Sequence, residues 1–201
     1  MKADAGLADE SARLATDASA GMAASAPMDA DVEARLLHSG NMEGIARRYG
    51  FFYGPNTWYC LEGAAADHAR RRELPIVGQS EGVWSFAHIE DVALATVAAL
   101  TAPPGIYNVV DDDPSPVSRW LPAFARWVGA LPPPQVTEQE AREVAGEDAV
   151  YDGTQLSGAS HDKANKTFNF NPRCLQWLNQ CDPHRTNRRW RNPVASGHWP
   201  R

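Results

Sequence analysis

The sequence predicts an α/β protein built around an incomplete parallel sheet. Strand-like and helix-like segments alternate through the middle of the 201 residues. The run GIYNVV (105–110) is mostly apolar, as a strand covered on both faces must be. It follows a helical stretch, IEDVALATVAAL, that Pro103-Pro104 terminates. The strands are few and separated by long connections, so the predicted sheet is part of a larger one.

Residues 1–28 are rich in Ala, Ser and Asp and lack an apolar stripe, which predicts a flexible or loosely helical N-terminus. MDADVEARLLHSG reads as a short helix with Asp29 near its N-cap and Gly40 past its end. GIARRYGFFYGP reads as a strand entering a turn, and LEGAAADHARRR as a helix burying Leu61, Ala64, Ala65 and Ala69. LPIVGQSEGVWSFAH gives a short strand, a glycine-marked loop and a second extended piece. In the next helix Glu90 and Asp91 complement the helix dipole, and Ile89, Val92, Val97 and Leu100 form the expected core face. DDDPSPVSRWLPAFARWVG is a turn and an amphipathic helix, with Ser115 as N-cap and Pro116 in the first turn. Trp120 and Trp127 stand seven apart on it, which predicts a core or interface role. VTEQEAREVAG carries a capping box, Thr137 with Glu140 three positions on, and HDKANKTF is a last short helix. The boundaries are thus an N-terminal segment 1–28, a folded unit 29–175 and a basic, disordered tail 176–201.

Composition narrows the function classes. No apolar run approaches the roughly 18 residues that a membrane span needs, and the first residues lack a signal peptide's apolar core. A cytoplasmic protein without membrane partners is the expectation. Cys60, Cys174 and Cys181 are odd in number and irregularly spaced, which opposes a disulfide framework; with His184 they match no zinc pattern, so no metal site is expected. The net charge of -6 divides unevenly: residues 161–201 hold eight Lys/Arg and two Asp/Glu, the rest eleven and twenty-three. The basic tail has neither a helical period nor a nucleic-acid motif, so no nucleic-acid partner is expected.

The stretch RRYGFFYGPNTW (47–58) concentrates aromatic rings around a Gly-Pro turn, as a ligand-lining segment does. RYGFFYGP resembles the Arg-Tyr-x-Asn-x-Tyr-Gly-Pro motif of the extended short-chain dehydrogenases, the NAD-dependent epimerase/dehydratases. WSFAHIEDVALATVAAL is similar to that family's Phe-x-His-Val-x-Asp-Val-Ala element. GIYNVVDDDPSPVSRWLPAFARWVG resembles its Tyr-Asn-Val strand, acidic turn and helix, and SHDKANKTFNFNPR its terminal Lys-Ala stretch. The four occur in the family's order over roughly residues 30–175, resembling its C-terminal, substrate-side half.

The resemblance implies a partial Rossmann-like fold, an incomplete parallel sheet carrying a mostly helical substrate lobe. It also implies NAD or NADP as cofactor and epimerase, dehydratase or oxidoreductase chemistry on a small carbonyl or sugar-like molecule. Tyr49, Gly50 and Phe51 match the nicotinamide-side turn; Phe51, Tyr53, Trp58, Trp84 and His88 are the expected substrate contacts. In relatives acting on nucleotide sugars, an Asn and an Arg stand where this chain has Phe51 and Trp84. That exchange either makes an apolar wall for a flat ligand or packs two rings beneath the turn. His88 either contacts the ligand or hydrogen-bonds backbone before a helix. Tyr53 is the expected ligand contact because Gly54-Pro55 turns the chain there.

Two family features are absent. No Gly-x-x-Gly-x-x-Gly turn exists to receive a pyrophosphate, and no tyrosine has a lysine four positions on. Positions four after Tyr49, Tyr53, Tyr59, Tyr107 and Tyr151 hold Tyr53, Thr57, Gly63, Asp111 and Gln155. No catalytic residue is therefore expected, and the chain reads as inactive alone, its cofactor half lying upstream or on another polypeptide. A non-catalytic ligand-binding module and a truncated product remain open beside it. Expected partners are a small-molecule ligand, and a second copy or a complementing Rossmann half. Two departures from the family predict local cost: Arg47 as a buried unpaired charge, and Asn169 in place of a turn glycine.

Overall fold

The computed structural model describes residues 6–12, 14, 19–38, 40 and 43–178. In chain order these form α1 (Ala20–Leu37), β1 (Ile45–Tyr49), β2 (Phe51–Tyr53), α2 (Ala64–Arg70), β3 (Ile76–Val77), β4 (Val83–Trp84) and β5 (Phe86–His88). There follow α3 (Ile89–Ala99), β6 (Gly105–Val109), β7 (Ser115–Pro116), α4 (Val117–Trp127), β8 (Gln135–Val136), α5 (Glu138–Thr154) and α6 (Asp162–Phe168). Cys181, His184 and nearly all of the basic tail lie outside the described residues.

The predicted parallel pairing is present. β1 runs parallel to β6 with Arg47 opposite Tyr107, and β2 parallel to β5 with Phe51 opposite Phe86 and Tyr53 opposite His88. Gly50 is the joint between the two ladders: a β-carbon there would sit 2.7 Å from the carbonyl carbon of Ser85, so the strands approach too closely for any side chain. β3–β8 is a short parallel pair and β4–β7 an antiparallel one, and every ladder among the described residues has two strands.

Side chains alternate across β2 and β5, so Phe51 and Tyr53 share a face with Phe86. That face carries the main core, where Phe86, Tyr53, Trp120, Phe124 and Trp177 interlock and Ala65, Ala66 and Ala69 of α2 close over them. A second cluster joins Tyr107 and Val109 of β6 to Ala95, Ala164 and Phe170.

Several local expectations are corrected. α1 starts at Ala20 and runs through Pro27, so Asp29 lies mid-helix and no element ends at residue 28. Upstream, Ala8 is buried and bridges to Ala159, and the Glu10 side chain accepts the backbone N–H of Asn108. The segment 6–12 is thereby tied to β6, because small residues and one carboxylate satisfy a strand edge that would otherwise be bare. Leu61 is exposed and Ala66 takes its place in the core. On α3 the buried side is Asp91, Ala95, Ala98 and Ala99, while Leu100 is 75% exposed. Arg173 donates to both Asp91 and Glu90, holding Asp91 on the buried side while Glu90 stays exposed. Pro116 is the N-cap of α4, and Ser115 belongs to β7. α5 opens on the expected Thr137–Glu140 capping box but continues past Gly146 (φ 85°) to Thr154. Core packing extends to Trp177 and Leu178, past the boundary expected at 175.

The two costly departures resolve differently. Arg47 is half-buried with its guanidinium 5.9 Å from the centre of the Tyr49 ring. Arg48 is the more deeply placed charge, and it pairs with Glu33 of α1. Asn169 adopts the left-handed conformation (φ 55°) as C-cap of α6, which Asn tolerates better than other non-glycine residues.

Candidate functional site

The aromatic turn after β2 builds an open groove. Gly54, with φ 105°, reverses the chain where a β-carbon would stand 2.6 Å from His88 Nε2. Its carbonyl accepts the N–H and hydroxyl of Thr57, and its N–H donates to Tyr59. The turn so closed presents a groove of about 750 Å³ lined chiefly by Phe51, Phe52, Pro55, Trp58, Tyr59 and Ile89. Trp58 is 55% exposed and stacks on His68 with ring centroids 5.7 Å apart.

Phe51 and Trp84 lie face to face, centroids 3.9 Å apart and planes 17° from parallel. Such a stack contributes about 0.5–1.5 kcal/mol beyond the area it buries. Its two members look opposite ways: Phe51 borders the groove, and Trp84 borders a half-open cavity of about 510 Å³ behind it. Tyr59 lines both, so Phe51, Tyr59 and Trp84 form an aromatic partition between the two spaces. The pair is thus both a packed unit and a wall.

The expected contacts divide accordingly. Phe51 and Trp58 reach the groove, while Trp84 reaches only the cavity behind it. Tyr53 is corrected: it is 0% exposed, its hydroxyl donates to the carbonyl of Cys174, and its ring meets Phe86, Trp177 and His88 edge-on. It supports the turn from below because β2 places residues 51 and 53 on its core side. His88 is likewise buried, and its Nδ1 accepts the backbone N–H of Glu90 as the N-cap of α3. Burial, and next the charge of Arg173, hold its pKa below the usual imidazole value. Tyr49 packs its ring 5.5 Å from that of Phe52 and sets its hydroxyl 3.4 Å from that of Thr96. Gly50 is pinned on β5, so of the three turn residues only Phe51 borders the groove.

Two residues that line these spaces escaped sequence reasoning, Tyr59 and Asp152. Burial pushes the Tyr59 phenol up, with the Asp152 carboxylate adding to it. Burial, then Asp148, raises Asp152 to about 6. Asp152 lies beyond Gly146, where the sequence suggested that the helix had ended, so nothing in the local pattern marked it.

The sign of the Asp152 shift gives a direct prediction. A folded-state pKa near 6 exceeds the ordinary aspartate value, so the fold retains the proton and is favoured below about pH 4. That advantage is lost as pH rises through about 6, above which the folded state holds a desolvated carboxylate. Asp152→Asn is therefore expected to raise the melting temperature at pH 8, with the gain shrinking toward pH 4. Thermal denaturation at the two pH values reads this, and an equal gain at both would contradict it.

Among the described residues no group of three or more His, Cys, Asp or Glu could hold a metal ion, neither Cys60 nor Cys174 is in a disulfide, and no helix is long and apolar enough to cross a membrane.

No family model matches the chain. Over 171 residues it is 36% identical to a 3-diazoavenalumate denitrifying reductase of a Streptomyces species, covering 84% of this chain and 56% of that protein. Among solved structures it is similar to a dTDP-glucose 4,6-dehydratase from Streptomyces venezuelae determined with NAD, at 16% identity and TM-score 0.63 over 87% of this chain and 52% of that one. A human epimerase family protein determined with NADPH gives TM-score 0.66 at 15% identity, over 89% and 59% respectively. The chain spans little more than half the length of each. Over that span its mixed α/β fold is the one found in these Rossmann-like epimerase and dehydratase structures.

Proposed function

We propose that the chain is the C-terminal, substrate-side part of a nicotinamide-dependent reductase of the short-chain dehydrogenase type, acting on a flat, largely apolar molecule. The observation that carries this reading is the Phe51–Trp84 partition, formed where β2 begins and β4 ends, in a chain 36% identical to a reductase. That relative is named for a diazo compound, and the stacked rings of the partition suit a flat molecule better than they suit a nucleotide sugar. Reduction is favoured over epimerisation because the 36% identity to a reductase outweighs 15–16% fold-level likeness to an epimerase and a dehydratase.

A nicotinamide dinucleotide would supply the hydride in such a reaction. The described residues fit only the flat end of it, through the Phe51 face, and bring no glycine-rich turn to a pyrophosphate. No step of hydride transfer is assigned to this chain. Its partners in this reading are the small-molecule substrate and a complementing Rossmann unit, with a second copy of the chain as the alternative cover for the edge of β1 that pairs with no strand among the described residues. The absence of any Tyr-x-x-x-Lys pair favours a second reading, a binding module without chemistry of its own.

Calorimetric titration with NADH and NADPH, with circular dichroism on the same sample, tests the division of labour. Folded protein without micromolar binding is expected; micromolar binding would place the cofactor site on this chain. Titration with 1-naphthol tests the groove. Tryptophan fluorescence should report binding, and Phe51→Ala should weaken it by about tenfold. An unchanged affinity would remove the groove from the substrate's path.

A further inference from the structure

The cavity behind the partition has a character that the groove lacks. One wall is aromatic: Tyr59 stands edge-on to Trp84 and Trp120, at centroid distances of 6.4 and 6.0 Å. The α5 side of the lining is Ala141, Val144, Ala145 and Ala149; its three alanines leave a slot, open to solvent where Val144 is 90% exposed. A volume of about 510 Å³ lies within the range that holds a small molecule.

At one end of the slot is Asp152. Its backbone carbonyl accepts the Trp84 indole N–H at 2.8 Å, which ties the last turns of α5 to the aromatic wall. Among the described residues its carboxylate has no cationic partner. The other charged groups on the lining are Glu73, Glu140 and Arg72. Glu73 is already paired with Arg71 and Glu140 is committed to the capping box, so neither competes for a ligand. The C-terminal end of α5, carrying the negative pole of the helix, lies at the same place. A carboxylate without a partner beside aromatic ring faces is the chemistry that selects a positive charge on an apolar body.

We propose that this cavity binds a flat, apolar ligand bearing a positive charge, with Asp152 as its counter-ion and Tyr59, Trp84 and Trp120 as its aromatic wall. Where the ligand is the substrate, the proposal deepens the reductase reading and rests on it. Its test needs no nicotinamide, so the failure of one is distinguishable from the failure of the other.

The test compares phenyltrimethylammonium with its neutral isostere tert-butylbenzene by calorimetry and tryptophan fluorescence. The cation is expected to bind wild-type protein at least about tenfold more tightly than the neutral isostere. Asp152→Asn should abolish that preference while leaving the neutral isostere's affinity unchanged. Ala149→Leu, which fills the slot without touching a charge, should weaken both probes. Equal affinity of the two probes for wild type overturns the proposal, and so does undiminished cation binding by Asp152→Asn. Full binding of both probes by Ala149→Leu would move the site out of this cavity and overturn it as well. The wild-type comparison and Ala149→Leu decide the matter if Asp152→Asn does not fold.

Discussion

Phe86→Ala is expected to lower stability by about 3–5 kcal/mol, a drop in melting temperature on the order of 10 °C. Phe86 is 0% exposed and sits at the centre of the aromatic core. Trp120 and Trp177 approach it edge-on at 5.2 Å, Tyr59 at 5.4 Å, and Phe51 and Tyr53 adjoin from β2. Truncation leaves a ring-sized void that these neighbours cannot fill, since each is held by further partners of its own. The same void undermines the partition, because Phe51 and Trp84 both rest against Phe86. Near-ultraviolet circular dichroism should therefore lose intensity along with the melting temperature. Phe52→Ala, one residue along from Phe51 and 39% exposed, is the control and should change stability little. A Phe86→Ala protein that melts within about 2 °C of wild type would refute this account of the core.

The second large effect belongs to Arg48. Its guanidinium holds the Glu33 carboxylate through two parallel bonds of 2.7 Å, Nε to Oε1 and Nη2 to Oε2, and its Nη1 reaches the carbonyls of Glu10 and Ala12. Both partners are largely buried, with side chains 14% and 16% exposed. Removing one charge leaves the other desolvated, so Arg48→Ala should cost about 3–5 kcal/mol. Arg48→Lys should not rescue it fully, because an ammonium cannot supply the planar fork. Replacing both partners with apolar residues, Arg48→Met with Glu33→Leu, should cost less than Arg48→Ala alone, which chemical denaturation of the set can measure. A double variant less stable than the single one would show that the pair is net stabilising and not merely mutually dependent.

Much of the chain was legible because its signals are local. Thr137 and Glu140 form their capping box within one turn, so three residues of spacing were enough to find it. The strand of β6, the helix of α3 and the Gly-Pro turn after β2 were marked in the same way by periodicity and backbone chemistry. Asn169 was marked as a turn position by the family resemblance, which places a glycine there, and it adopts the left-handed geometry. Phe51 and Trp58 were legible as candidates because the segment around them is dense in rings, and both line the groove.

What only the tertiary structure decided concerns residues whose role depends on a distant partner. Asp91 is the first-turn charge that the sequence marked, but its burial was not legible, because the Arg173 that bonds it there is 82 positions away. Tyr53 looked like a ligand contact, yet the register of β2 on β5 places it beneath the turn, bonded to Cys174. Phe51 and Trp84 were each read as candidate wall residues, but only the tertiary fold, with Phe51 set opposite Phe86 and Trp84 two residues before it, brings them to 3.9 Å. Asp152 acquires its raised pKa from burial beyond a kink that the sequence pattern did not span. By itself the sequence determined where elements begin and how the backbone turns, since those are set by interactions a few residues long. Which face each element buries was left to the tertiary structure, because burial is decided by whatever the rest of the chain places opposite.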